Sequence, residues 1–146
     1  PFFRERVKTG LPLPITHPDM TRFWITLEQA VQFVVDSFDQ MHGGELYVPR
    51  IPSMKLTDLV DAIAPGYPTE VMGIRPGEKM HEEMISADDS HRTIRQATRY
   101  VVTPTIADWG FTPVEGVPME PGVAYRSDNN DLWLTVPELR TILGEP

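Results

Sequence analysis

Two prolines spaced two apart, in Leu11-Pro12-Leu13-Pro14-Ile15-Thr16, leave this stretch almost no choice of backbone. Each proline drives the residue before it out of the helical region and removes one amide donor. The segment is therefore an edge strand or a loop, because a central strand would need the missing donors. Any fold for the chain must accommodate an extended, one-sided ribbon near its start.

Helical signals lie on both sides of it. Residues 2–9 form a short amphipathic helix closed by Gly10. Thr21 to Ile25 alternates as a strand, and Thr26 with Gln29 then makes a capping box. After the box, Leu27, Ala30, Val31, Val34, Phe38 and Met41 recur at helical spacing until Gly43-Gly44. Phe33 and Val35 widen that stripe, which predicts protein on more than one side of the helix. A short strand is expected over 45–48, and a second amphipathic helix carries Leu56, Leu59, Val60 and Ile63 up to Pro65-Gly66. Strands are expected over 70–74 and 99–103, with a helical turn over 79–86. Residues 104–131 show little periodicity and several prolines, and read as ordered loop. A second capping box, Thr135 with Glu138, opens a terminal helix bearing Leu139, Ile142 and Leu143. Helices and strands intermix with no linker and no repeat, so the expectation is one α/β or α+β unit over residues 1–146.

The formal net charge of −8 excludes a general nucleic-acid binder, which needs a basic face. The 13 basic residues are nonetheless ten arginines and three lysines, and arginine is the side chain whose fork matches phosphate or carboxylate. With no cysteine, disulfides, thiolate metal sites and thiol nucleophiles are all excluded. No apolar run reaches the roughly 18 residues of a membrane span, and Pro1-Phe2-Phe3-Arg4 lacks the order of a signal peptide. The reading is of a cytoplasmic, soluble protein without a membrane partner.

One motif stands out chemically. In Ile74-Arg75-Pro76-Gly77-Glu78 a predicted strand delivers an arginine, a rigid turn follows, and a carboxylate returns three residues later. Read as residues alone, this is either a surface turn with its own Arg-Glu pair or a clamp. In the clamp, Arg75 meets a phosphate oxygen and Glu78 accepts from a sugar hydroxyl. Arg22, beside Phe23-Trp24 at the start of a strand, is the candidate second arm; otherwise it faces solvent or stacks on Trp24.

Other chemistry is poorly supported. His81-Glu82 lacks the second histidine of a zinc-protease helix, and Asp128-Asn129-Asn130-Asp131 has Trp133 and Leu139 where a calcium loop requires Gly and Glu. There is no nucleophile elbow, no Walker loop and no glycine-rich dinucleotide fingerprint.

Taken together, "LPLPITHPDMTRFWITLEQAV", "MHGGELYVPRIPSMKLTDL", "GIRPGEKMHEEMIS" and "SDNNDLWLTVPEL" resemble the C-terminal part of an extended short-chain dehydrogenase/reductase. The resemblance is strongest to the inverting UDP-N-acetylglucosamine 4,6-dehydratases. It implies an α/β C-terminal portion of a Rossmann-superfamily enzyme whose N-terminal domain holds NADP and the catalytic residues. On that reading this chain carries no catalytic or cofactor residue, and binds neither NADP nor a metal by itself. The resemblance further implies Arg22 and Arg75 on the substrate diphosphate, Glu78 on the ribose, and Pro14, Ile15 and Thr16 along the uracil edge.

Two further expectations follow from the resemblance. The helix over 27–41 and the strand over 45–48 pack on the Rossmann portion in such enzymes, so in this chain their apolar surface is left open and a homo-oligomer is expected. The alternatives that stay open are a retaining dehydratase or an epimerase of the same superfamily, and a stand-alone nucleotide-sugar-binding module without catalysis.

Overall fold

The computed structural model describes residues 1–106, 110 and 112–144. In chain order its elements are α1 (Phe2–Lys8), β1 (Leu13–Ile15), β2 (Thr21–Phe23), α2 (Leu27–Gln40), β3 (Leu46–Pro49), β4 (Ser53–Lys55), α3 (Leu56–Ile63), β5 (Thr69–Val71) and β6 (Glu83–Ile85). A 3-10 turn (Ser90–Arg92), β7 (Thr93–Arg95), β8 (Arg99–Val102), β9 (Val117–Pro118), β10 (Tyr125–Arg126) and α4 (Val136–Leu143) complete it. These elements fall into two compact units. One comprises Pro1–Phe23, Pro52–Glu82 and Ser127–Pro146, and the other Trp24–Ile51 and Glu83–Arg126.

In the first unit the proline ribbon becomes β1 and pairs with a single neighbour, β5, in parallel. Leu13 donates its N–H to Pro68 O and Ile15 accepts from Met72 N, so both point their backbone at β5. Pro14 between them therefore faces the open edge, where a missing donor costs nothing. The side chains of Leu13 and Ile15 are buried with Val60 and Ala64, and Phe3, Val7, Leu56, Ile63 and Tyr67 close over them. The same unit holds the antiparallel pair β2–β4, with Arg22 opposite Met54. Asn130 ties the 130–132 stretch to the start of β4: its Nδ2 donates to Ser53 Oγ at 3.0 Å and to Leu132 O at 3.0 Å. The Asp128–Asp131 stretch is thus a structural turn ahead of α4, whose capping box at Thr135 and Glu138 forms as its sequence predicts.

In the second unit β3, β8, β7 and β9 form a four-stranded antiparallel sheet in that order. Val48, Tyr100, Val101, Val102, Ile85 and Tyr125 are buried there. Tyr100 and Tyr125 pack with ring centroids 4.7 Å apart, and the Tyr125 hydroxyl donates to Ile51 O. Helix α2 has the predicted capping box and ends at Gln40, three residues before the glycine pair. It has no buried residue; Leu27 is 80% exposed and Phe38 70%. Among the described residues, the wide apolar stripe therefore lacks the cover that its pattern calls for.

Two expectations need correction. The segment over 79–86 is not a helical turn but a loop leading into β6, because Ile85 and Glu83 are taken up by pairing with Tyr125 and Arg126. The stretch over 104–131 contains β9 and β10, both two residues long and specified by partners far away in sequence; its positions 107–109 and 111 lie outside the described residues.

Leu13 is fully buried where β1 meets α3. We expect Leu13→Ala to lower the unfolding free energy by about 2–5 kcal/mol, read from the midpoint of a urea titration; a loss near zero would mean that β1 is not part of the core.

Candidate functional site

The motif at 75–78 is a closed turn. Glu78 donates its N–H to Arg75 O at 3.0 Å, Pro76 fixes the first inner position, and Gly77 has φ of 82°. Proline followed by a positive-φ glycine is the pattern of a type II turn. The turn returns Glu78 toward its own start, where Glu78 Oε2 accepts from Arg75 N at 3.3 Å.

Glu78 is also the meeting point of three separate segments. Its Oε1 accepts from Thr16 Oγ1, at the end of β1, at 3.1 Å, and lies 3.9 Å from Arg22 Nη2, on β2. Local turn chemistry, the β1–β5 pairing and the β2–β4 pairing thus converge on one carboxylate. A carboxylate offers about four lone-pair sites. Thr16, Arg22 and the Arg75 amide face three of them, leaving Glu78 room for one further donor on a side chain that is 27% exposed.

Arg22 neither faces open solvent nor waits unpaired. Its Nη1 donates to Thr21 O at 2.7 Å and Met80 O at 3.2 Å. Its Nε is 3.3 Å from Glu82 Oε1. With Nε and Nη1 engaged, Nη2, which faces Glu78 Oε1 only at 3.9 Å, is the nitrogen with hydrogen-bonding capacity left for an incoming anion. The guanidinium of Arg75 differs: the residue is exposed, and among the described residues its side chain has no hydrogen-bond or ion-pair partner.

The structure therefore joins Thr16, Arg22 and Glu78 directly and holds Arg75 at the same turn through its backbone. Ile15 does not join them by its side chain, which is core, and its carbonyl is already used by Met72. Pro14 O faces the open edge of β1. Sequence reasoning missed Glu82 and the backbone of Met80 as partners of Arg22. The only signal available was the acidic pair Glu82-Glu83 after the motif, and nothing in it distinguishes the inward carboxylate from the exposed one.

Comparison with known proteins gives this geometry its context. Residues 1–104 match the family described as polysaccharide biosynthesis protein. The chain belongs to that family. This family member is 45% identical over 153 aligned residues to UDP-N-acetylglucosamine 4,6-dehydratase (inverting) from Campylobacter jejuni subsp. jejuni serotype O:2, covering 99% of this chain and 46% of that protein. It is 31% identical over 93 residues to UDP-glucose 4-epimerase from Rickettsia massiliae, covering 61% of this chain and 27% of the relative. Among solved structures it superimposes on the X-ray structure of Pen from Bacillus thuringiensis with a TM-score of 0.78 at 25% identity, covering 98% of this chain and 43% of that one. The chain spans about half the length of the dehydratase relatives it matches. The fold is that of part of an extended short-chain dehydrogenase/reductase, as the sequence motifs imply.

Gly77 has open space around the position of a Cβ, so its requirement is conformational alone. Gly77→Ala should destabilise the turn by roughly 1 kcal/mol or more, visible as faster amide exchange at Glu78; unchanged exchange would mean that the positive φ is not needed.

Proposed function

We propose that this chain is the UDP-sugar-binding part of a UDP-N-acetylglucosamine 4,6-dehydratase that inverts C5 and delivers a 4-keto-6-deoxy sugar nucleotide. The observation that carries the reading is the convergence of Thr16, Arg22 and Glu78 at the Arg75 turn, within a chain 45% identical to a protein of that name. In this role Arg75 engages the diphosphate with its outward guanidinium, and Arg22 offers Nη2 from the other side. Glu78 accepts a ribose hydroxyl at its remaining lone pair. The open edge of β1, with the Pro14 carbonyl and the Thr16 segment beyond Ile15, lines the uracil.

The whole protein is then a lyase of bacterial surface or flagellar glycan synthesis, of which pseudaminic acid is one product class, and it works in the cytoplasm. Among the described residues no helix is long and apolar enough to cross a membrane, which is compatible with that placement. The cofactor of such a dehydratase is NADP, which takes up and returns hydride. The residues described here do not fit it. A dinucleotide cradle needs glycines between a strand and the N-terminus of a helix, whereas Gly43 and Gly44 follow α2 and lead into β3. NADP would therefore be held by a Rossmann portion outside this chain, and this chain contributes substrate binding and no catalytic group.

That Rossmann portion is also the proposed cover for α2. The exposed stripe of Leu27, Val31, Val34, Val35, Phe38 and Met41 is the kind of contiguous apolar surface that recruits protein. We expect the chain by itself to self-associate in sedimentation velocity; a compact, stable monomer would count against both the cover and the homo-oligomer.

A UDP-sugar epimerase is the second reading, favoured by the identity to the Rickettsia protein; NMR of the product, reading the configuration at C5, separates the two. The binding assignment is tested by calorimetry with UDP on the full-length protein. Arg75→Ala and Arg22→Ala should each remove charge-assisted bonds of about 1.5–3 kcal/mol, raising the UDP Kd roughly ten- to a hundredfold. Unchanged affinity in both variants would refute the clamp.

A further inference from the structure

His81 lies beyond the turn and takes no part in the clamp described above, yet it closes a buried hydrogen-bond chain directly behind it. Its Nδ1 is 2.8 Å from Thr21 Oγ1, and Thr21 Oγ1 is 2.6 Å from Ser127 Oγ. Ser127 Oγ accepts from Glu82 N at 2.9 Å, and Ser127 N donates to Glu82 O at 2.9 Å. On the far side of the ring, His81 Nε2 faces Asp128 Oδ2 at 3.8 Å. Thr21 is 3% exposed and Ser127 fully buried, so protons in this chain cannot be satisfied by bulk water.

Counting hydrogens fixes the direction of the chain. Glu82 N–H is a fixed donor to Ser127, and one hydrogen lies between Ser127 and Thr21. If Thr21 gave it, the Ser127 proton would be buried without an acceptor. The ring would also need its proton on Nδ1, turning a bare Nε2 toward a carboxylate. If Ser127 gives it, Thr21 donates to Nδ1 and Nε2–H faces Asp128. Only the second arrangement leaves no buried group unpaired, and an unpaired buried donor or acceptor costs its full desolvation.

The chain runs through the residues that hold Arg22. Thr21 adjoins Arg22 and supplies the carbonyl taken by Nη1; Met80 O, next to His81, takes Nη1 as well, and Glu82 pairs with Nε. Thr21 N in turn donates to Met80 O at 3.1 Å. We infer that His81 is a positioning residue: as the Nε2–H tautomer, its Nδ1 accepts the Thr21 hydroxyl and pins the 78–82 loop to β2, so that Arg22 and Glu78 are held in register for an anionic nucleotide. This deepens the proposed function and rests on it for the identity of the ligand.

Two measurements on the full-length protein test it. Nitrogen-15 NMR of ligand-free, histidine-labelled protein should find His81 protonated at Nε2 and bare at Nδ1; a proton on Nδ1 overturns the chain, whatever the ligand. Calorimetry with UDP should then find His81→Phe weakened about five- to thirtyfold, the loss of roughly one charge-supporting contact. His81→Asn, whose Oδ1 can accept in the place of Nδ1, should remain within about threefold of wild type. Equal loss in both variants, or none in His81→Phe, refutes the positioning role. Should His81→Phe fail to fold, the tautomer and the Asn variant still decide it. Wild-type protein that binds no UDP would instead overturn the proposed function and leave the tautomer as the sole judge of the chain.

Discussion

Arg22 is the interaction on which the rest of the candidate site depends. A guanidinium only 24% exposed must be paired and hydrogen-bonded to be tolerated. Here a carbonyl of its own strand, a carbonyl of the 78–82 loop and two carboxylates provide the partners. The planar fork matters, since Nε, Nη1 and Nη2 each face a different partner, which an ammonium could not reproduce. The loop bearing Glu78 and Glu82 has little apolar anchoring, with Lys79 and the 75–77 turn exposed. Its position follows from the cation it surrounds and from the hydroxyl chain behind that cation.

The same arrangement reconciles an acidic protein with the anionic ligand proposed for it. Net charge of −8 describes the whole sequence, but an incoming phosphate senses its neighbours within about a Debye length. Glu78 and Glu82 more than offset Arg22, so the cations left unpaired here among the described residues are Arg75 and the exposed Lys79. A diphosphate approaching Arg22 would also compete with Glu82, which is 44% exposed and able to move into water. On the proposed reading, affinity would be shared between a free cation and one already partnered, and the second would act more by orientation than by net attraction.

How much of this was legible beforehand depends on how far apart the causes lie in sequence. The capping boxes at Thr26-Gln29 and Thr135-Glu138, the amphipathic helix over Leu56–Ile63 and the Pro76-Gly77 turn are specified within a few residues, and all form as their sequences predict. Strands β4, β6 and β7 were not legible. Each is three residues long and has no periodicity of its own; it exists because β2, β10 or β8 supplies the other half of the ladder. Arg75 and Glu78 could be read from one motif, and Arg22 from its odd place in a strand. That Thr16 and Glu78 bond across 62 positions, or that Thr21 and Ser127 bond across 106, required the fold.

The proline ribbon links these scales. Because Pro12 and Pro14 forbid helix and allow pairing on one side only, β1 can take β5 and nothing else, with its other edge open. Parallel pairing with β5 carries the chain toward the Arg75 turn, and the residue just past β1, Thr16, meets the carboxylate that the turn returns. An edge strand ordinarily must be protected from stray partners. Here the open edge is short and interrupted by a proline, which limits pairing with another strand while leaving a carbonyl exposed. The feature that most restricts the backbone is thus also the one that keeps an open carbonyl edge beside the Arg75 turn.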